Sequence, residues 1–597
     1  MSLPSKKVFF LYTILLLVFI TGCQSVESTT ATKKHPPNIL LILTDDQGWG
    51  DLSINGNTNL RTPNIDRLAK NGATFDRFFV SPVCSPTRAE ILTGRYALRS
   101  GVYSTSQGGE RIDLDETTMA DYFKAAGYQT GAFGKWHSGM QYPYHPNGRG
   151  FDEFYGYCSG HWGNYIDPML ERNGQLVRGK GFLPDDLTDK TIEFIEKNRD
   201  QPFFAYLPFN TPHNPMQMPD KWWKPFDNKE LTMLGDGRQA EQIGHTKAAL
   251  AFCKNIDWNV GRIVEKLQEL QLEENTILIY LSDNGPNGAR WNGGMKGKKG
   301  STDEGGVRSP TFIQWKNTIP AGMSIQPIAS SLDLLPTLAE MTGIAFQPDK
   351  PLDGKSLKPL LLQEQVLWPD RLIFNHWKNK LSVRNQQFRL GAAGQLFDME
   401  NDPEQRTDVA TDFPEVYQKL QKAKANWLNT VAQELPEVDP RTFPVGHPDA
   451  KTTQIPARDG IASGSIQRSN RWPNCSYFTN WTNENDSIIW DIDVLESGNF
   501  EVVLYYTCAP ESIGGIFELA FGDSRLQNSL TVAHDPPLRG METDRFPRDV
   551  SFTKDFKPLN IGTIYLEKGA GRLALRALTI PNEELMDFRL MLLNKTD

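Results

Sequence analysis

A chain of 597 residues exceeds what one hydrophobic core organises, so two to four domains are expected. Its 39% hydrophobic and 23% charged residues exclude a disordered or membrane-embedded polymer. A net charge of −9 gives no overall field for a polyanion, which argues against nucleic acid and requires any anionic substrate to be met by a local group of Lys, Arg, His or metal.

Lys6 and Lys7 precede a short apolar run at 8–20, which reads as an export signal too short for a secure membrane span. The run closes on Ile20-Thr21-Gly22-Cys23, which resembles a bacterial lipobox. That resemblance implies cleavage before Cys23, lipidation of Cys23 and an exported protein anchored to the outer membrane of a Gram-negative cell. Residues 1–22 are then the signal peptide and the polar stretch 23–36 a tether.

Asn38-Ile39-Leu40-Leu41-Ile42-Leu43 is a continuous apolar run, as expected of a parallel strand buried on both faces. Similar runs recur at 203–207 and 276–281. Helical spacing marks 64–70, which follows Thr62-Pro63, then 118–126, ending at Gly127, and 246–272. The alternation predicts an α/β domain over 37–344 with a mostly parallel central sheet flanked by helices. Asp45-Asp46, residues 210–213 and Asp283-Asn284 each follow an apolar run, so three strands aim polar groups at one sheet edge, where open α/β sheets form their sites.

Residues 345–438 read as a small α+β subdomain, with turns at 352–357 and 396–403 and a helix at 414–435. The Pro- and Thr-containing stretch 439–459 reads as a linker. Over 460–597 short alternating runs at 488–494, 500–506, 516–521, 563–566 and 573–578 predict a β-sandwich-like domain. It reads either as a carbohydrate-binding module whose Trp472, Trp481 and Trp490 stack on sugars, or as a brace whose tryptophans are core.

The most informative stretch is Cys84-Ser85-Pro86-Thr87-Arg88, continuing Ala89-Glu90-Ile91-Leu92-Thr93-Gly94-Arg95. It resembles the C-x-P-x-R and L-T-G-R signature of type I sulfatases, in the alkaline phosphatase-like superfamily. Gly134-Lys135-Trp136-His137, Thr211-Pro212-His213, Ser282-Asp283-Asn284-Gly285 and 299–308, a K-G-x-x-x-E-G-G-x-R segment, resemble further elements of that family. Gln47 departs from its usual apolar residue, Lys296 and Lys298 crowd Lys299, and Ser159 or His161 could supply a further substrate-binding side chain.

The resemblance implies that a formylglycine-generating or radical maturation enzyme converts Cys84 to formylglycine (3-oxoalanine). The modified Cys84 would join Asp45, Asp46, Asp283 and Asn284 around Ca2+. An all-oxygen set suits this hard cation, which a thiolate would not. By the same resemblance Lys135 and Lys299 neutralise the sulfate, Arg88 holds the nucleophile and Asp283 takes its proton. His213 protonates the leaving alcohol with Lys299, and His137 serves the release of sulfate. The implied substrate is a sulfated carbohydrate, for example an algal glycan such as ulvan, carrageenan or fucoidan. Two rivals are a phosphodiester or phosphonate monoester hydrolase of the same superfamily, and a non-catalytic surface lipoprotein that captures sulfated glycan. Of the other cysteines, Cys158 and Cys253 read as buried free thiols, while the spacing leaves Cys475 and Cys508 open.

Overall fold

The computed structural model describes residues 36–364 and 367–596. The signal segment, Cys23 and the tether up to residue 35 lie outside the described residues. No helix among the described residues is long and apolar enough to cross a membrane.

The first element of the described residues is β1 (Asn38–Asp45), buried throughout. Helix α1 (Pro63–Lys70) starts on its proline, and β2 (Ala73–Phe79) follows. Helix α2 (Cys84–Thr93) stops at Gly94, which takes the left-handed conformation of a helix end. Helix α3 (Met119–Ala125) is capped by Thr118, whose side chain accepts from the Asp121 amide. Next come β3 (Gln129–Lys135), β4 (Glu153–Tyr157) and a hairpin of β5 (Met169–Arg172) and β6 (Gln175–Arg178). Then follow α4 (Leu183–Lys197), β7 (Phe203–Pro212), α5 (Asp220–Asp227), α6 (Ile243–Glu269) and β8 (Thr276–Ser282). The short α7 (Glu304–Val307), β9 (Arg308–Gln314), β10 (Met323–Ile325), β11 (Ala329–Ser330) and α8 (Leu334–Thr342) complete the domain.

The sheet runs β10-β2-β9-β8-β1-β7-β3-β4-β5-β6, with β11 also on β2. Its centre, β8-β1-β7-β3-β4, is parallel. Alternate residues of β1 enter two cores. Leu40 and Ile42 pack with Leu187 and Phe194 of α4 and Ile256 and Val260 of α6. Ile39, Leu41 and Leu43 pack with Ile91 of α2, Phe123 of α3 and Leu335 of α8. Burying such a side chain contributes roughly 1.5–3 kcal/mol, and here it operates on both faces, which explains the unbroken apolar run. Because β1, β7 and β8 are parallel, their polar carboxyl ends reach the same edge.

The subdomain is a four-stranded antiparallel sheet, Ile373–Trp377, Lys380–Arg384, Phe388–Leu390 and Leu396–Asp398, covered by the helix Pro414–Thr430. The C-terminal domain is two six-stranded sheets around one core. The expected strands lie within Ser487–Val494, Gly498–Thr507, Ile516–Phe521, Lys557–Leu566 and Gly569–Thr579.

One expectation is corrected, and an alternative left open for the tryptophans is decided. The stretch 439–459 is not a linker: Phe443–Val445 pairs with 492–494 and Thr452–Pro456 with 590–594, so both are sandwich strands. Pro444 is tolerated because its strand lies at a sheet edge, and such short pieces carry no readable alternation. Trp481 and Trp490 are 0% and 1% exposed and belong to the sandwich core, whereas Trp472 is 46% exposed. Cys84, Cys158, Cys253, Cys475 and Cys508 are all buried free thiols.

Candidate active site

β1 ends on Asp45, and Asp46 turns the chain with a φ of 70°, a left-handed conformation that a non-glycine residue keeps only when its surroundings hold it. Arg290 is one support, donating from Nη2 to the Asp46 carbonyl oxygen at 2.9 Å while pairing with Asp51 at 2.6 Å. The Asp46 amide donates to Asp283 Oδ1 at 3.2 Å, and Asn284 Nδ2 donates to Asp46 Oδ1 at 2.8 Å. Gln47 is absorbed as a structural hydrogen-bonder, its Oε1 accepting from Tyr280 at 2.6 Å and Thr44 at 3.0 Å.

Cys84 is the first residue of α2. Its Sγ and carboxylate oxygens of Asp45 and Asp283 lie within 4.8 Å of one another. One turn on, the fully buried Arg88 donates to Asp283 Oδ2 at 2.7 Å and to the Lys135 carbonyl at 2.9 Å. Lys135 closes β3 and reaches Asp45 Oδ2 at 2.8 Å. It can do so because residue 134 is glycine: a Cβ there would sit 2.0 Å from the Pro208 carbonyl oxygen of β7. Lys299 Nζ lies 2.7 Å from Asp46 Oδ1, while Lys296 is turned to Asp303 at 3.8 Å, so the lysine assigned by the motif is the one that arrives.

His213 Nε2 is 3.7 Å from Asp46 Oδ2, and its ring stacks on His161 at 5.5 Å between centroids. His137 Nε2 lies 2.9 Å from the Thr105 carbonyl. A carbonyl only accepts, so Nε2 carries the hydrogen and Nδ1 is a free acceptor, buried and without a partner among the described residues. Ser159 lines a cavity with Cys158, Glu171 and Arg589, so of the two candidate substrate residues it is His161 that stands beside His213.

The charges fall into a pattern. Burial would raise the Asp46 carboxyl, but Lys299 and His213 override it and hold it well below the usual range. Burial and Asp45 push Asp283 up, against Arg88 and Lys135. Burial raises the Cys84 thiol despite Lys135 and Lys299, so the unmodified side chain is a protonated, weak nucleophile. Burial and Lys299 lower His213 to about 4. Burial, then Lys135, holds His137 well below its ordinary value, and burial with His213 does the same to His161.

The donor set fits a hard cation. Asp45 Oδ1 and Asn284 Oδ1 are buried acceptors with no hydrogen-bond donor among the described residues. Such oxygens are costly unless something positive completes them. Asp45, Asp46, Asp283 and Asn284 would hold the ion through oxygen alone.

Sequence reasoning missed Arg290, Thr105, and Thr87, whose hydroxyl donates to the Asp283 carbonyl at 2.6 Å. Thr87 lies within the Cys84–Arg88 signature, so a signal existed. Arg290 and Thr105 lie in loops whose contacts are long-range, and no local pattern marks them.

The family model described as sulfatase matches residues 37–344. The chain is 33% identical over 376 residues to N-acetylgalactosamine-6-sulfatase of Canis lupus familiaris, covering 57% of this chain and 68% of that one. It is 34% identical over 368 residues to arylsulfatase A of Homo sapiens, covering 55% and 68%. Among solved structures it resembles Ps i-CgsB in complex with k-i-k-neocarrahexaose, with TM-score 0.61, 30% identity, and 68% and 96% of the two chains covered.

Proposed function

The chain belongs to the sulfatase family, and from that premise we propose that it removes sulfate from a sulfated oligo- or polysaccharide, using formylglycine made from Cys84 and a calcium ion on Asp45, Asp46, Asp283 and Asn284. Membership makes it a sulfuric ester hydrolase. The finer reading rests foremost on one observation: the Cys84 side chain sits against two carboxylates at an edge where Asp45 Oδ1 and Asn284 Oδ1 are buried without donors. The carbohydrate substrate is supported by the likeness to a structure holding a neocarrahexaose.

Calcium, when bound, would act as a Lewis acid on sulfate oxygens. Formylglycine would replace a thiol that burial keeps protonated with an oxygen nucleophile suited to that ion. Lys135 and Lys299 are the fixed cations where negative charge accumulates at sulfur. Asp283, oriented by Arg88 and set against the Cys84 side chain, is placed to accept the nucleophile's proton. His213 rests neutral; the negative charge of a bound sulfate ester raises its proton affinity, which readies it, with Lys299, to protonate the leaving oxygen. His137 offers Nδ1 as a base because Thr105 fixes its tautomer.

Mass spectrometry of the tryptic peptide 78–88, from protein made with and without a maturation enzyme, tests this reading. Aldehyde at position 84 should track sulfatase activity, and full activity with an intact Cys84 thiol would overturn it. Attachment through a lipid on Cys23 is proposed from Ile20-Thr21-Gly22-Cys23, and labelling with a radioactive fatty acid that persists in Cys23→Ser would refute it.

A further inference from the structure

We propose that Arg471 and Trp472, at the tip of a loop of the C-terminal sandwich, form a subsite for a second sulfated sugar beside the one being cleaved. The proposal rests on the sulfated-glycan reading above and gives the C-terminal domain a part in that same site.

The loop is moored on both sides to the supports of the two catalytic histidines. On one side Asn474 Nδ2 donates at 3.1 Å to the Thr105 carbonyl, the same oxygen that fixes His137. Asn474 Oδ1 accepts from the Gly160 amide at 3.1 Å and from Arg458 at 3.2 Å. Residue 160 has no room for a side chain, because a Cβ would sit 2.5 Å from both His137 Nε2 and Asn474 Nδ2. On the other side Asn470 Nδ2 donates to the Asp549 carbonyl at 3.1 Å. The Asp549 carboxylate accepts at 2.7 Å from Asn214, the residue after His213. The Trp472 amide closes onto Asn470 Oδ1 at 2.9 Å. Ser469 to Ser551 at 2.7 Å and Arg548 to the Gly163 carbonyl at 2.7 Å fix the surroundings.

Arg471 and Trp472 are the two exposed residues between these moorings. The Arg471 guanidinium lies 4.8 Å from the centre of the Trp472 ring and makes no ion pair or hydrogen bond among the described residues. An open indole beside an unpaired guanidinium suits a pyranose face and a sulfate, since the planar fork of arginine matches two sulfate oxygens. The other two tryptophans considered for sugar stacking lie in the sandwich core, which leaves Trp472 as the one presented to a ligand.

The test compares wild type, Arg471→Ala, Trp472→Ala and Trp472→Phe on 4-nitrophenyl sulfate and on singly and multiply sulfated carrageenan and chondroitin oligosaccharides. Arg471→Ala should raise KM by about 10–100-fold on multiply sulfated chains, with kcat much less affected. The loss should shrink on singly sulfated chains and further on 4-nitrophenyl sulfate. Trp472→Phe should recover most of what Trp472→Ala loses, which a bulk structural role would not predict for an exposed side chain. If wild type cleaves oligosaccharides and the alanine variants match it, or lose equally on every substrate, the subsite is overturned and the glycan reading stands. If wild type cleaves 4-nitrophenyl sulfate but no oligosaccharide, the glycan reading itself is overturned.

Discussion

Two clusters of buried charge in this molecule have opposite deficits. At the sheet edge, Asp45, Asp46, Asp283 and Asn284 face Lys135, Lys299 and Arg88, and among their atoms left without partners the oxygens Asp45 Oδ1 and Asn284 Oδ1 outnumber the one nitrogen, Arg88 Nε. Around Glu304, the carboxylate meets Arg384 at 2.9 Å, Arg389 at 3.2 Å and Arg308 at 3.8 Å, and the unpartnered atoms are the nitrogens Arg384 Nη2 and Arg389 Nε. Burial and the neighbouring arginines lower Arg384 to about 9, so the second cluster already holds more cation than it can use. An edge left with spare oxygen is built to accept a cation. A cluster left with spare nitrogen is a brace, and this one ties down the Thr302 carbonyl through Arg389 and Ser382, three residues from Lys299.

The sharpest way to break this contrast is to remove one carboxylate from the edge. Asp45→Ala and Asp283→Ala should each abolish turnover. Calcium at about 100 times its dissociation constant should stabilise wild type by about 2.7 kcal/mol and raise its Tm, an effect the variants should lose. A variant whose melting curve still responds to calcium as wild type does would show that the ion binds elsewhere.

Within the edge, the two histidines should separate by leaving group. General acid catalysis is typically worth roughly 10²–10⁴-fold, and a sugar alkoxide needs it far more than nitrophenolate. His213→Ala should therefore lose about that much on a glycan sulfate and much less on 4-nitrophenyl sulfate. His137→Ala should lose equally on both. Finding the leaving-group dependence at His137 would mean that the two roles are exchanged.

At the brace, Glu304→Ala leaves buried arginines without their carboxylate, a change worth about 3–5 kcal/mol of stability. Denaturant melts should show that loss with and without calcium, because no metal ligand is touched. Stabilisation by this substitution would mean that the cluster costs more to bury than it returns.

How far the sequence reveals these regions depends on the range of the contacts. Asp45-Asp46 and Asp283-Asn284 were legible because each follows a buried strand whose apolar run points to the sheet edge. Cys84, Arg88, Lys135 and Lys299 were legible as contiguous motifs. Arg290 was not, because its task is a hydrogen bond to a backbone oxygen 244 positions away in sequence. Asn474 was not, because its partners at Thr105 and Gly160 belong to another domain, so no local pattern marks it as a neighbour of His137. The strand Phe443–Val445 was lost to a linker reading because three residues with a central proline carry no periodicity. Tryptophan as a residue type does not distinguish a sugar platform from core, and only the packing of Trp481 and Trp490 settled that.

A third buried carboxylate sharpens the comparison, because it has neither a metal nor an arginine. Glu90, on α2, accepts from Ser81 at 2.9 Å and from Ser331 at 2.8 Å. Burial raises it to about 7, against those two hydroxyls and the Ala97 backbone amide. Its folded value therefore lies above the unfolded one of 4.5, and the folded state binds more protons between them. Glu90's favourable contribution is fully present below pH 4.5 and is lost as pH rises through 7. Glu90→Gln removes the charge that causes this loss but leaves one serine without its best acceptor, which costs about 1 kcal/mol. The variant should thus be about 1–2 kcal/mol more stable than wild type at pH 8 and no more stable at pH 4.5, as read from urea melts at both values. A stability difference that does not change with pH would show that Glu90 titrates alike in the folded and unfolded states, and that its hydrogen bonds, without the lysines of the edge or the arginines of the brace, offset the cost of burying its charge.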